Sequence, residues 1–196
     1  MGFRPKYSVD DAFVIYESFL AKSLEWNIPL YCASLDLRKA FDRIEYSVLF
    51  SALRSQGVSE DYIAILASMY QNKSGRIRGG NESFLIERGV KQCDIISLLL
   101  FNAGLEDAIR KWKLRIHGLG INIGEDELLT NIRYADDLMI YAMTLNDMDK
   151  MLEILVEELQ KVGLQLNTAK CKILSLVPNS RSSFLDINGD FMGIDS

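Results

Sequence analysis

Residues Ile132–Ala142 read IRYADDLMIYA. Ile132, Tyr134, Leu138, Met139, Ile140 and Tyr141 suit a pleated, packed surface, so the stretch reads as strand on both sides of its centre. That centre holds Asp136 and Asp137 side by side. Two ionised carboxylates in an apolar run are costly unless a turn lifts them to the surface or a cation neutralises them. A hairpin pairing NIRYA with LMIYA puts both on its turn. Asp36 ends another strand pattern, LYCASL. If that strand lies beside the hairpin, three carboxylates converge at one sheet end. Such a cluster repels itself, and divalent metal is the usual remedy. Two ions roughly 3.5–4 Å apart can activate an attacking oxygen and stabilise a leaving pyrophosphate. Spacing alone also fits plainer readings: Asp favours solvated turns, and Asp36 equally suits a helix N-terminus.

Around this centre the chain alternates helical and strand periodicity without regular parallel βαβ units. SVDDAFVIYESFLAKSLEWN, with Ser8 as cap, EYSVLFSALRSQG, ended by Gly57, and EDYIAILASMYQN, capped by Ser59, carry apolar residues at helical spacing. IISLLLFNAGLEDAIRKWK is a helix with a buried start, and DMDKMLEILVEELQKVG is a helix opened by Asn146 and ended by Gly163. LGINI, LLTNIRYA, LMIYAMT and CKILSLV read as strands. RIRGGNESFLIERG and DINGD read as hairpins. The fold class is α+β, an antiparallel sheet with helices packed on one face.

The 196 residues fit one domain, and no linker or repeat divides them. Cys32, Cys93 and Cys171 are too far apart for a Cys-x-x-Cys zinc site, and an odd set of three argues against a disulfide framework. A reducing, intracellular compartment follows. With His117 the only histidine, His-rich metal sites are excluded, and carboxylate is left to carry chemistry. Carboxylate oxygens select hard cations such as Mg²⁺. The net charge of −5 is unlike that of a stand-alone nucleic-acid binder. No apolar run approaches the ~20 residues that cross a bilayer.

SLDLRKAFDRIEYSVLFSAL, GVKQCDIISLLLFN, RYADDLMIYA and VGLQLNTAKCKIL follow one another in this order. They resemble motifs A to D of the reverse transcriptase palm in non-LTR, LINE-like retrotransposons, and GFRPKYSVDDAF resembles the segment that precedes motif A. The resemblance implies RNA-directed DNA polymerase chemistry, with an RNA template, a DNA primer, dNTP and two Mg²⁺ ions (Mn²⁺ being an alternative). Asp36, Asp136 and Asp137 match the metal-binding aspartates, Asp136 as main ligand of the pair. The amides of Leu37, Arg38, Lys39 and Ala40 match a backbone nest for the incoming triphosphate. Phe41 matches the aromatic gate that leaves no room for a ribose 2′-hydroxyl; on pattern alone it is a core residue. Gln92, with Cys93 beside it, matches a nucleotide- or template-holding position, and Lys170 matches the lysine that protonates pyrophosphate. The implied domains are a fingers remnant over 1–30, the palm over 31–177, and a shortened approach to the primer grip over 178–196.

Two positions depart from the family pattern. Cys93 stands where glycine is usual, adding a Cβ where backbone approaches nucleotide, and Leu98 stands where proline is usual. The resemblance also lacks the upstream fingers segments and the thumb, which are therefore partners the chain needs. The expectation is a retroelement palm that is inactive alone. The competing expectation is a degenerate, non-catalytic remnant or a domesticated interaction scaffold.

Overall fold

A computed structural model describes residues 9–70, 74–77, 79, 83–91, 94–124, 127–134, 137–177 and 183–185. In chain order the elements are α1 (Val9–Trp26), β1 (Leu30–Leu35), α2 (Ala40–Arg43), α3 (Tyr46–Ser55), α4 (Glu60–Tyr70), β2 (Ser74–Arg76), β3 (Ser83–Leu85) and α5 (Ile95–Arg115). There follow β4 (Ile121–Gly124), β5 (Glu127–Leu129), β6 (Asn131–Tyr134), β7 (Asp137–Ala142), α6 (Leu145–Lys161), β8 (Lys172–Leu176) and β9 (Ser183–Leu185). They group into two compact units rather than the one that length suggested. The first comprises Met1–Arg38, Trp112–Glu157 and Gln165–Ser196; the second comprises Lys39–Lys111 and Glu158–Leu164. Two of its boundaries fall inside α5 and α6, and the other two, at Arg38/Lys39 and Leu164/Gln165, fall between elements.

The first unit is built on a five-stranded antiparallel sheet ordered β6-β7-β1-β8-β9. β1 is its centre, pairing Cys32 with Tyr141 of β7 on one side and with Leu174 of β8 on the other. Alternation sends Leu30 and Cys32 to one face, where Tyr141, Ile132 and Leu176 join them under Ile15, Tyr16 and Leu20 of α1. Ala33, Ile140 and Ile173, one register step away, are wholly buried as well. The middle of the sheet is thus buried on both faces, while Ser34 toward the end of β1 is exposed. A strand buried on both faces shows a continuous apolar run, and LYCASL has that form. Trp112 of α5 is also fully buried, and its indole N–H donates to the Met151 carbonyl of α6 at 2.8 Å.

Local chemistry corrects some boundaries. LLTNIRYA is not one strand: β5 pairs with β4 in a separate ribbon, and β6 joins the main sheet. The cap of α6 is Thr144, not Asn146. The Asp147 amide donates to Thr144 Oγ1 at 3.1 Å and the hydroxyl donates to Asp147 Oδ2 at 2.7 Å, a reciprocal capping pair. Gly163 ends α6 as expected, with φ 79°. A Cβ there would lie 2.8 Å from the Arg43 carbonyl oxygen, so glycine is required twice over. Ser8 and the DINGD hairpin lie outside the described residues.

In the second unit α3 and α4 pack together, with β2 and β3 forming the expected hairpin ribbon. The start of α5 is capped by Asp94, whose carboxylate accepts from the Ile96 amide at 3.2 Å. Leu98, in the position where the family pattern has proline, donates its amide to the Asp94 carbonyl at 3.2 Å. Proline could not make that bond. Buried Ile44 sits against the bare surface of Gly104, where a Cβ would meet its Cδ1 at 2.5 Å.

Burial pushes the Cys32 thiol up from its ordinary value of 9.0 to about 12, the hydrogen bond with Tyr141 opposing the shift. Burial, then the adjacent Cys32, also pushes the Tyr141 phenol up. Both groups are neutral when protonated and have higher pKa values folded than unfolded. Their contribution to stability is therefore intact below pH 9 and is lost as pH rises from 9 toward 12. Melting temperatures measured across that range should fall steadily, and Cys32→Ala should flatten part of the slope. At neutral pH, Trp112→Phe should lower unfolding free energy by about 2–4 kcal/mol in urea, through the lost hydrogen bond and the void left behind.

Candidate active site

The sheet register determines the site. β1 and β7 pair in antiparallel register that ends at Leu35↔Leu138; Asp36 is the next residue after Leu35, and Asp137, the first residue of β7, immediately precedes Leu138. β6 and β7 form the hairpin expected from IRYADDLMIYA, with Tyr134 opposite Asp137. Asp137 is exposed at the mouth of that turn. Asp136 lies outside the described residues. Among the described residues no group of three or more His, Cys, Asp or Glu could hold a metal ion. What the sheet brings together from opposite halves of the sequence is Asp36 and Asp137.

Asp36 is half-buried and held from one side by the segment that leads into β8. The Asn167 amide donates to the Asp36 carbonyl at 2.8 Å. Asn167 Nδ2 donates to Asp36 Oδ2 at 2.9 Å, and Lys170 Nζ lies 3.7 Å from Oδ1. Lys170, itself 68% exposed, thus stands beside the first carboxylate although the two are far apart in sequence. Cys171 is buried behind them, its thiol 3.9 Å from the Asp36 carbonyl oxygen. Burial raises the pKa of that thiol, partly opposed by its bond to the Asp36 backbone.

The backbone after Asp36 is partly engaged within the first unit. Leu37 bridges to Leu166 and the Arg38 amide donates to the Gln165 carbonyl at 2.8 Å. Of the amides assigned to a triphosphate nest, that of Arg38 is therefore already bonded. Lys39, the first residue of the second unit, is left-handed at φ 48°, ψ 49° and opens α2, with Ala40 buried. Phe41 is half-buried, its ring centroid 4.6 Å from that of fully buried Phe101. That packing agrees with the core reading of its sequence pattern. Gln92 and Cys93 lie outside the described residues.

Asn167 is the residue that sequence reasoning passed over. Asn at the head of NTAKCK reads as a turn opener, which carries no sign of its bond to Asp36.

Asp36, one oxygen of which accepts from Asn167 Nδ2, and Asp137, which opens the neighbouring strand, carry carboxylate oxygens of the kind a hard divalent cation takes.

The reverse transcriptase (RNA-dependent DNA polymerase) family model matches residues 1–192. The Pol polyprotein of the type-2 retrotransposable element R2DM of Drosophila melanogaster is 28% identical over 98% of this chain and 18% of its own length. The Pol polyprotein of the type-1 element R2 of Bradysia coprophila is 31% identical over 87% of this chain and 19% of its own length. The chain therefore spans about a fifth of these curated relatives. Among solved structures, apo telomerase of Candida tropicalis, truncated from its C-terminal domain, superposes with a TM-score of 0.64 at 17% identity. That match covers 94% of this chain and 40% of the telomerase. Telomerase of Candida albicans in complex with a fragment of telomeric RNA gives 0.63 at 15% identity, over 95% and 35% of the two chains. At such identities the structural neighbours establish a common fold. Together with the family match along almost all of the sequence, they show that the chain belongs to the reverse transcriptases, the RNA-dependent DNA polymerases, of the kind carried by non-LTR retrotransposons.

Proposed function

We propose that the chain is the catalytic palm of a retroelement reverse transcriptase, with residues 31–177 as the palm proper, 1–30 as fingers and 178–196 leading toward the primer grip. Its reaction is RNA-templated DNA synthesis by nucleotidyl transfer from dNTP to a DNA primer, inside the cell. The observation that supports this reading is the register Leu35↔Leu138, in which Asp36 follows one paired residue and Asp137 precedes the other.

Asp36, Asp136 and Asp137 would hold two Mg²⁺ ions, which when bound supply Lewis acidity to the primer 3′-hydroxyl and charge stabilisation to the leaving pyrophosphate. The protein's own residues do the rest. Asp36 and Asp137, at strand ends, would orient the reacting groups. Phe41, seated on Phe101, would bar a ribose 2′-hydroxyl by its bulk. Leu37, Lys39 and Ala40 would offer the nest, and the family motif assigns Gln92 and Cys93 to nucleotide and template. Lys170, beside Asp36, donates a proton to pyrophosphate as it departs.

A palm of −5 net charge has little surface for phosphate neutralisation, so affinity for template and primer has to come from flanking fingers and thumb. This supports the reading of the chain as inactive by itself. Cys93 in place of glycine favours the second reading, a non-catalytic remnant, for this particular copy.

With Mg²⁺, an RNA template and a DNA primer, the 196-residue chain alone should extend no primer above an Asp136→Asn control. Exchanged for the matching segment of an active R2-type relative, it should restore extension when Cys93→Gly is introduced. Asp36→Asn should then cut the rate of that chimera by at least about 100-fold. A chimera that extends equally well with Asp36→Asn would remove the catalytic assignment. In the same chimera Phe41→Val should raise ribonucleotide incorporation relative to dNTP by about tenfold or more, read by alkaline cleavage of the product. Unchanged sugar selectivity would leave Phe41 as core.

A further inference from the structure

Asn167 makes more bonds to Asp36 than any charged residue described around it. Its backbone N–H donates to the Asp36 carbonyl at 2.8 Å, and its side-chain Nδ2 donates to Asp36 Oδ2 at 2.9 Å. Its own carbonyl accepts from the amides of Lys170 at 2.9 Å and Cys171 at 3.2 Å. One residue thus ties the Asp36 backbone, one Asp36 carboxylate oxygen and the turn that carries Lys170 into a single unit.

The chemistry of the bond is specific. The terminal torsion of an aspartate is broad and roughly two-fold, so an exposed carboxylate rotates with little cost unless a donor fixes its plane. The Lys170 ammonium, 3.7 Å from Oδ1 at the end of a long exposed side chain, is too distant for a directed hydrogen bond. Asn167 supplies the fixed donor from a half-buried position. Being neutral, it orients the carboxylate without cancelling the negative charge that would attract a cation. An aspartate in its place would repel Asp36.

We propose that Asn167 is a positioning residue for metal binding: its side-chain amide holds the plane of the Asp36 carboxylate through Oδ2 and leaves Oδ1, which lies 3.7 Å from Lys170 Nζ, to meet a divalent cation. The proposal rests on the reading of Asp36 as a metal ligand. Partners of this kind, bonded to a ligand and not to the metal, typically contribute 10–100-fold to metal affinity.

Mn²⁺ alone, titrated into the 196-residue chain and followed by electron paramagnetic resonance, tests it. Asn167→Ala should weaken Mn²⁺ binding about tenfold or more, Asp36→Asn should abolish the Asp36-dependent part, and Thr168→Ala should bind as the wild type does. Asn167→Leu keeps the volume without the donor, and is read in the same way if the alanine variant does not fold by circular dichroism. In the unmutated chain, Mg²⁺ should shift the Asn167 side-chain amide resonances, a response that a merely structural bond would not give. A folded Asn167 variant within twofold of wild-type affinity, or Asn167 amide resonances indifferent to Mg²⁺, would overturn the proposal while the loss with Asp36→Asn keeps Asp36 as ligand. Equal binding by Asp36→Asn would remove the ligand reading, and the proposal with it.

Discussion

Everything at the candidate site depends on the register of β1 between β7 and β8. A slip of one residue would send every side chain of β1 to the opposite face, taking Cys32 from beneath α1 and Ala33 from the tightly closed opposite layer. It would also uncouple Asp36 from Asp137. The same hydrophobic alternation that makes the slip costly in stability therefore fixes the spacing of the acids. Packing and chemistry are coupled through the backbone ladder, and neither aspartate has to be stabilising itself.

On the far side of β1, the chain entering β8 runs back past the strand end. Leu166, Gln165 and Asn167 engage Leu37, Arg38 and Asp36 in turn. Asp36 is thus held at a place where the strand has already left the sheet, between a hairpin mouth and a polar turn. Carboxylates at such an end avoid the full desolvation cost that an aspartate within β1 would carry. This resolves the tension in IRYADDLMIYA: the apolar residues belong to β6 and β7, and Asp137 stands at the boundary where the hairpin meets solvent. In the second unit, Phe41, which reads as core by pattern, is half-buried against Phe101.

Of the two departures from the family pattern, Leu98 is accommodated, because its amide completes a bond in the first turn of α5 and Asp94 caps that helix; Cys93 lies outside the described residues.

Strands, helices and most of their ends were legible in the sequence because periodicity and glycine act locally. Gly57 and Gly163 mark helix ends by the positive φ that only glycine adopts cheaply, and LYCASL shows a strand buried on both faces. Ordered motifs carried the family. Tertiary structure alone decided that Thr144 rather than Asn146 caps α6, since both are competent caps and only the chain's path selects one. It alone divided the chain into two interleaved units, because contacts between distant segments leave no compositional trace. It also decided that Asn167, not a charged residue, grips Asp36, for a hydrogen bond across 131 positions is set by strand pairing and has no signature in local sequence.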